Sequence, residues 1–543
     1  MSAMTYAIER LERIGDRCNA IVVKEVRQAL KSKQFVGTFA LLLLVAWGGS
    51  IFMVANAGDS IEYGSSAWEF FVLFFLVQAV ASLVIVPFGA FRSIVEERAE
   101  NTLELVQITA LTPRQIVWGK SLSALVQVLV YFSAITPFIA FTSLLPGFDL
   151  VQTLFDLGWL LIASFTFCSI ALAIGAQTKN KISQAFGSLG VIVLALIGTI
   201  TFCTFMLSEA VVALPVGESQ FWWAITIAAF VALSTSFLCQ QIAIAQLTFE
   251  SDNRSSGIRL TVTVQWVVFW LSMLAYVAVY AGAATFNVFP MVTLTSIFLT
   301  VAGLYLICEP EALSRRVARG LPRSRSMRMV WVPFLPGGTR GLIFGLGSIG
   351  LMGALAALAL AVDSRSTTSH MYSTPKELWA AATVIGYAVI YLGVGALVTR
   401  LFRRVLTGFS PGHLIAILLL GNLLLMLVEV LWHFLLGFHD NGFQPIDVVN
   451  PIITIGAIFD RTGLAGSELA EVLVAIPAVL ALVINIKPMV QAARAVLNNP
   501  IRAQIEFEAA RRREAQAATQ VLAAQTGAAP VPAPALEAGA ATS

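Results

Sequence analysis

Two ionisable residues stand out because their neighbours are apolar. Glu429 and His433 lie four residues apart in the leucine-rich stretch 412–437, so on a helix they share one face. Ionisable groups at membrane depth are costly and tend to mark ion or substrate pathways. The pair therefore has two readings: a proton relay or substrate contact, or a mutually hydrogen-bonded pair near the outer end of its helix. Gln78, Gln127, Gln240 and Gln241 pose the same choice in neutral form, between lining a pathway and hydrogen-bonding between helices. Glu69 and Asp156 fall near the ends of apolar stretches, where they are expected to reach the headgroups.

Other chemistries find little support. Trp118-Gly119-Lys120-Ser121 ends like a phosphate-binding loop, but Arg114 stands where the first glycine belongs and no strand precedes it. Gly345, Gly347 and Gly350 have dinucleotide-fingerprint spacing but sit inside an apolar run, where small residues serve close helix packing. The chain is thus expected to bind no nucleotide or other cofactor itself. The histidines (His370, His413, His433, His439) are scattered over three regions. That argues against a membrane-bound enzyme such as a lipid transferase, which needs a cluster at one membrane face. The cysteines Cys18, Cys168, Cys203, Cys239 and Cys308 share no CxxC spacing and read as small hydrophobes.

Two charged segments border apolar stretches. In Asn19–Gln34, Val22, Val26, Ala29 and Leu30 form one helical face, and Lys24, Arg27, Lys31 and Lys33 the other. This predicts an amphipathic helix in the inner headgroup layer. The second segment runs from Arg92 to Lys120. Its first part, Glu96–Ile108, mixes acidic and apolar residues without Pro or Gly and predicts a short helix. Thr112-Pro113-Arg114-Gln115 then reads as a helix start, with Thr112 as N-cap and Gln115 completing a capping box. Glu96, Glu97, Glu100 and Glu104 give this elbow an acidic surface in a zone usually dominated by base, which points to a partner in the cytoplasm.

The elements that must position these residues are membrane spans. The chain of 543 residues is 58% hydrophobic and 12% charged, too little charge to cover a soluble surface. A crossing helix needs about 20 apolar residues, and twelve stretches qualify. The first six are Phe35–Val54, Ala67–Phe91, Ser121–Leu145, Leu154–Ala176, Gln184–Leu207 and Phe221–Gln246. The second six are Thr261–Phe286, Phe289–Cys308, Gly341–Val362, Leu378–Thr399, Gly412–Gly437 and Leu469–Ile486. With the N-terminus cytoplasmic, all 34 Lys and Arg except Arg365, Lys376 and Arg461 fall on the inner side, as the positive-inside rule requires. The fold class expected is therefore all-α: a polytopic transmembrane helical bundle with both termini cytoplasmic. The polar lead of 34 residues is long for a signal peptide, so the first span is expected to be retained. The net charge of +3 gives no bulk attraction to nucleic acid. The chain divides into a cytoplasmic N-terminus (1–34), a six-span core (35–247), a second six-span region (248–486) and a cytoplasmic end (487–543). In that end Asn499-Pro500 is expected to interrupt a helix, and the Ala- and Pro-rich tail to be disordered.

The two charged segments also carry a resemblance. Glu96-Glu97-Arg98, Asn101-Thr102-Leu103-Glu104-Leu105, Leu111-Thr112-Pro113, Ile116 and Gly119-Lys120 resemble the signature of type-2 ATP-binding-cassette (ABC) transporter permeases. Lys24-Glu25-Val26-Arg27-Gln28 resembles the opening K-E-x-R helix of that family. Asn101 stands where the family often has Gly. The resemblance covers residues 19–247; the other six spans match no named pattern, and no repeat of the elbow is legible in them. It implies an exporter permease in the plasma (cytoplasmic) membrane, with ATP hydrolysed on a separate ATPase subunit and a second permease chain as dimer partner. It makes Glu96–Gln107 the coupling helix, with the carboxylates at 96, 97, 100 and 104 docking the ATPase. Lys24–Lys33 becomes the connecting helix. The rival reading is a secondary transporter driven by an ion gradient, for which Glu429 and His433 are the support.

Overall fold

In a computed structural model the described residues are 20–57, 67–99, 112–142, 150–178, 180–209, 214–249, 252–280, 287–322, 324–363, 375–405, 409–436, 444–459, 464–498 and 511. They form helices and connections with no strand among them. Twelve helices are long and apolar enough to cross a membrane, and each coincides with one of the twelve apolar stretches. The chain is an integral membrane protein built as an all-α bundle.

The helices run in this order. α1 (Ala20–Lys31) precedes the first span, α2 (Lys33–Ala57). The second span, α3, joins Ala67–Val80 to Val86–Ala99 through a π turn at Ala81–Ile85. α4 (Pro113–Thr142), α5 (Leu150–Gln177), α6 (Lys181–Glu209) and α7 (Ser219–Leu247) complete the first six spans. Next come α8 (Ser256–Tyr280), α9 (Val288–Ile307) and two short helices, α10 (Arg315–Arg319) and α11 (Arg325–Trp331). α12 (Gly338–Asp363), α13 (Pro375–Phe402) and α14 (Pro411–Leu436) are spans nine to eleven. A 3₁₀ turn (Pro445–Val449) and α15 (Pro451–Phe459) lead to the last, α16 (Leu464–Asn498).

Two local expectations need correction. The amphipathic segment is not one helix through Gln34: it breaks at Ser32, whose Oγ accepts the Phe35 amide at 3.0 Å and starts α2. The short helix expected from Glu96 is, at Glu96 and Glu97, the continuation of the second span. No Pro or Gly stops it between Ala90 and Ala99, and an Arg92–Glu96 ion pair of 2.6 Å one turn apart supports it. Residues 100–111 lie outside the described residues, and with them Glu100, Asn101, Thr102, Leu103, Glu104 and Leu105. So do Asn499-Pro500 and the tail.

The core sits where large apolar side chains of several spans meet. Phe74, Val128, Tyr131, Ile135 and Leu172 are buried together in the first six spans. Trp266, Trp270, Leu299, Met352 and Leu392 are buried together in the second six. The peripheral spans expose what a soluble protein would hide: Leu44 and Trp47 on α2, Phe186 and Ile200 on α6, Leu423 and Leu424 on α14.

The two sets of six spans pack by the same scheme. Within the first set, the second span lies against the first, third, fourth and fifth. The third lies against the first, fourth and sixth, and the fourth against the fifth and sixth. Spans seven to twelve (α8, α9, α12, α13, α14, α16) meet in that same order of pairs, and α7 joins the sets by packing on α8. The sequence shows no repeat here because interior faces of spans need only volume and small residues, which many sequences satisfy.

Candidate functional site

The cationic start of the fourth helix organises one end of the bundle. α4 begins as its sequence predicts. The Gln115 amide donates to Thr112 Oγ1 (3.3 Å), and Gln115 Oε1 accepts the Thr112 amide (2.9 Å). From that start Ile116, Val117 and Lys120 turn into the protein. The Lys120 side chain is 2% exposed. Its ammonium donates to Glu25 Oε1 at 3.1 Å, Glu97 Oε1 at 3.0 Å and the Ser93 carbonyl at 3.2 Å. One lysine thus ties α1, the end of α3 and the start of α4 together. Three acceptors satisfy its three N–H groups, the condition under which a buried charge is tolerated.

This geometry separates the carboxylates that the sequence grouped. Glu97 points at Lys120 and holds the end of α3 to the start of α4. Glu25 is likewise turned inward. Glu96 is exposed and paired with Arg92, and Lys24, Arg27 and Gln28 lie exposed along α1. A cleft of about 360 Å³ opens between α1, α2, α3 and α4, lined by Lys24, Gln28, Arg92, Lys120, Gln127 and Tyr131 among others. Inside it Tyr131 Oη and Thr38 Oγ1 are 2.7 Å apart. Ile85, the last residue of the π turn, is also on its wall; such turns recur at functional sites.

A second polar knot was not foreseen. Arg259, fully buried near the start of α8, donates to Glu309 Oε2 (2.7 Å), Ser255 Oγ (2.7 Å) and the carbonyls of Pro333 (2.7 Å) and Gly337 (3.1 Å). Glu309 Oε2 also accepts the Gly337 amide at 3.0 Å. The arginine-rich connection between α9 and α12 is therefore folded onto the bundle. Its available signal was the pairing of a basic residue just inside one span with an acid just after the next. Charge counting treats Arg259 only as a marker of sidedness.

Near the far end of α14, Glu429 and His433 acquire a third member. His433 Nε2 lies 2.7 Å from Asp447 Oδ1, and one donor atom from each of the three residues falls within 4.8 Å of the others. The sequence, which scatters its four histidines over three regions, pairs Glu429 with His433 and shows no third member. Asp447 was missed because it comes from the 3₁₀ turn after α14, not from a helical register. Asp156, expected to reach outward from a span end, is buried within the protein and accepts from Gln152 Nε2 at 3.1 Å.

Several other sequence readings find their place. Gln78 Nε2 donates to Ser82 within α3 (2.9 Å), Gln240 Nε2 to Ser169 between helices (3.5 Å), and Gln127 faces the cleft. The fingerprint-like Gly345 packs against α13: a Cβ there would meet Leu392 at 2.9 Å. The described cysteines are unpaired, and Cys168, Cys203 and Cys308 are buried. Compared with family models, curated proteins and solved structures, the chain has no match.

Proposed function

We propose that this chain is the membrane-spanning permease of an ATP-driven exporter, coupled to a separate ABC-type ATPase subunit at the end of the bundle that carries α1 and the α3–α4 elbow. The observation that carries the reading is the Lys120 bridge. The residues of the two segments resembling type-2 permeases, Glu25 in one and Glu97 and Lys120 in the other, meet in a single ion-paired knot. A force applied to the elbow by a partner is therefore transmitted to three helices at once. The docking surface is Glu96 at the end of α3 with Lys24, Arg27 and Gln28 on α1, all exposed; Glu100 and Glu104, outside the described residues, are assigned to it by the resemblance alone. This end faces the cytoplasm of the cell whose plasma membrane holds the chain, in keeping with the charge asymmetry. ATP is bound and hydrolysed by the partner. The shared packing scheme of the two six-span sets supports one chain supplying both halves of a transport unit.

The test is purification of the tagged chain from its native membranes in mild detergent, with ATPase activity and photo-crosslinking to an azido-ATP as readouts. Wild type is expected to carry a nucleotide-labelled subunit. Charge reversal at Glu96, Glu100 and Glu104 is expected to lose it while leaving the permease folded. A monodisperse, inserted wild-type chain that never holds an ATPase would sink the proposal. It would favour the ion-gradient transporter, to which Glu429, His433 and Asp447 would then lend the buried ionisable site.

A further inference from the structure

We propose that Glu429, His433 and Asp447 bind one divalent transition-metal ion of the zinc class at the end of the bundle opposite α1. The three residues come from two elements, α14 and the turn that packs on it. Glu429 and His433 are one helical turn apart on α14. Asp447 sits in the Pro445–Val449 turn, which is fixed from its other side. The Gln444 amide donates to Asp447 Oδ2 at 2.7 Å, Thr454 Oγ1 to the Asp447 carbonyl at 2.9 Å, and Tyr387 Oη to the Val448 carbonyl at 2.6 Å. The carboxylate is thus presented to α14 by a braced scaffold.

The electrostatics of the cluster call for a cation. Glu429 and Asp447 are 1% and 3% exposed, so two carboxylates share a site that water barely reaches. A protonated His433 would balance only one of them, whereas a divalent ion beside a neutral imidazole balances both. A second observation is independent of the clustering. Glu429 Oε2 is buried with no hydrogen-bond partner, although Asn450 bonds to the same carboxylate. Buried carboxylate oxygens are normally satisfied, and leaving one bare is costly. A bound cation satisfies it.

The donor set selects the ion. One imidazole nitrogen and two carboxylates suit Zn²⁺ or a neighbour in the first row, whereas Ca²⁺ and Mg²⁺ prefer six or more oxygens. Three protein ligands leave a fourth position open. The His433 side chain, 25% exposed, marks the side from which an ion enters. Asn450 would orient Glu429 from outside the ligand set, as outer-shell partners of metal ligands do. Bound there, the ion clips α14 to the segment leading into α16. α14 is a peripheral span, with Leu419, Leu423, Leu424, Leu427 and Leu431 exposed on it, and the ion would add a tie between it and the bundle. The inference does not rest on the transport reading above.

The experiment uses the full chain, purified in detergent, stripped with chelator and titrated with Zn²⁺ alone by calorimetry. Metal content is counted by mass spectrometry and ligand type read by zinc-edge X-ray absorption. One zinc per chain is expected, with a first shell of one imidazole and carboxylate oxygens. His433→Ala and Asp447→Asn should each weaken binding by more than ten-fold, Asn450→Ala by roughly ten-fold, and His413→Ala not at all. Sub-stoichiometric zinc, a first shell of another composition, or unchanged binding in His433→Ala and Asp447→Asn would overturn the proposal. If those variants do not fold, the wild-type stoichiometry and absorption spectrum still decide it.

Discussion

The ammonium of Lys120 lies 3.1 Å from the carboxylate of Glu25, a residue 95 positions earlier in the chain. A third partner, Glu97, closes the triangle from the end of the second span. A basic residue so placed does more than set membrane orientation: it fixes the angle at which an amphipathic helix meets two spans.

Lys120→Met should therefore be strongly destabilising, because it leaves two carboxylates facing each other with no cation between them. Breaking a buried pair in this way costs about 3–5 kcal/mol, less here to the extent that Glu25 and Glu97 reach solvent. Thermal unfolding in detergent should show the loss. The triple variant Lys120→Met, Glu25→Gln, Glu97→Gln should recover much of it. A triple variant no more stable than the single one would show that the knot acts by packing and not by charge.

The Arg259 knot is expected to tolerate even a conservative change poorly. Its guanidinium spreads four hydrogen bonds over Ser255, Glu309, Pro333 and Gly337, a fork that a lysine ammonium cannot reproduce. Arg259→Lys should lower the melting temperature and make the loop 309–340 more sensitive to limited proteolysis than in wild type. Equal cleavage rates would mean that the loop is held by its apolar contacts, such as Val317, Leu321 and Leu335, and not by the arginine.

Close packing of α12 on α9 gives a third expectation. A Cβ at Gly341 would sit 2.7 Å from the Leu306 backbone, whereas Gly347 has nothing within 4 Å. Gly341→Ala should cost about 1–3 kcal/mol by overpacking, and Gly347→Ala should be neutral or slightly stabilising. The comparison is a pair of melting curves, and equal shifts would refute the packing account.

Orientation is directly measurable. Single cysteines at Arg27 and Arg114 should react with a membrane-impermeant maleimide only after the cells are opened. A cysteine at Glu218 should react in intact cells. The reverse pattern would invert the bundle and remove the elbow from the reach of a cytoplasmic ATPase.

Much of this molecule was legible in its residues alone. Apolar length determines the spans, because a backbone in lipid must satisfy its own hydrogen bonds and a helix does so without partners. The start of α4 was equally legible, since Thr112, Pro113 and Gln115 act within one turn. What the tertiary structure decided were relations between residues far apart in the chain. Glu97 reads from sequence like its exposed neighbour Glu96, and only the position of Lys120 turns one inward while the other stays in solvent. Glu429 and His433 could be paired by helical spacing, but Asp447 joins them through a turn whose path depends on Tyr387 and Thr454. The common packing scheme of the two sets of spans was hidden for a related reason. Interior helix faces are specified by shape and volume, and these become visible only once the helices are placed against one another.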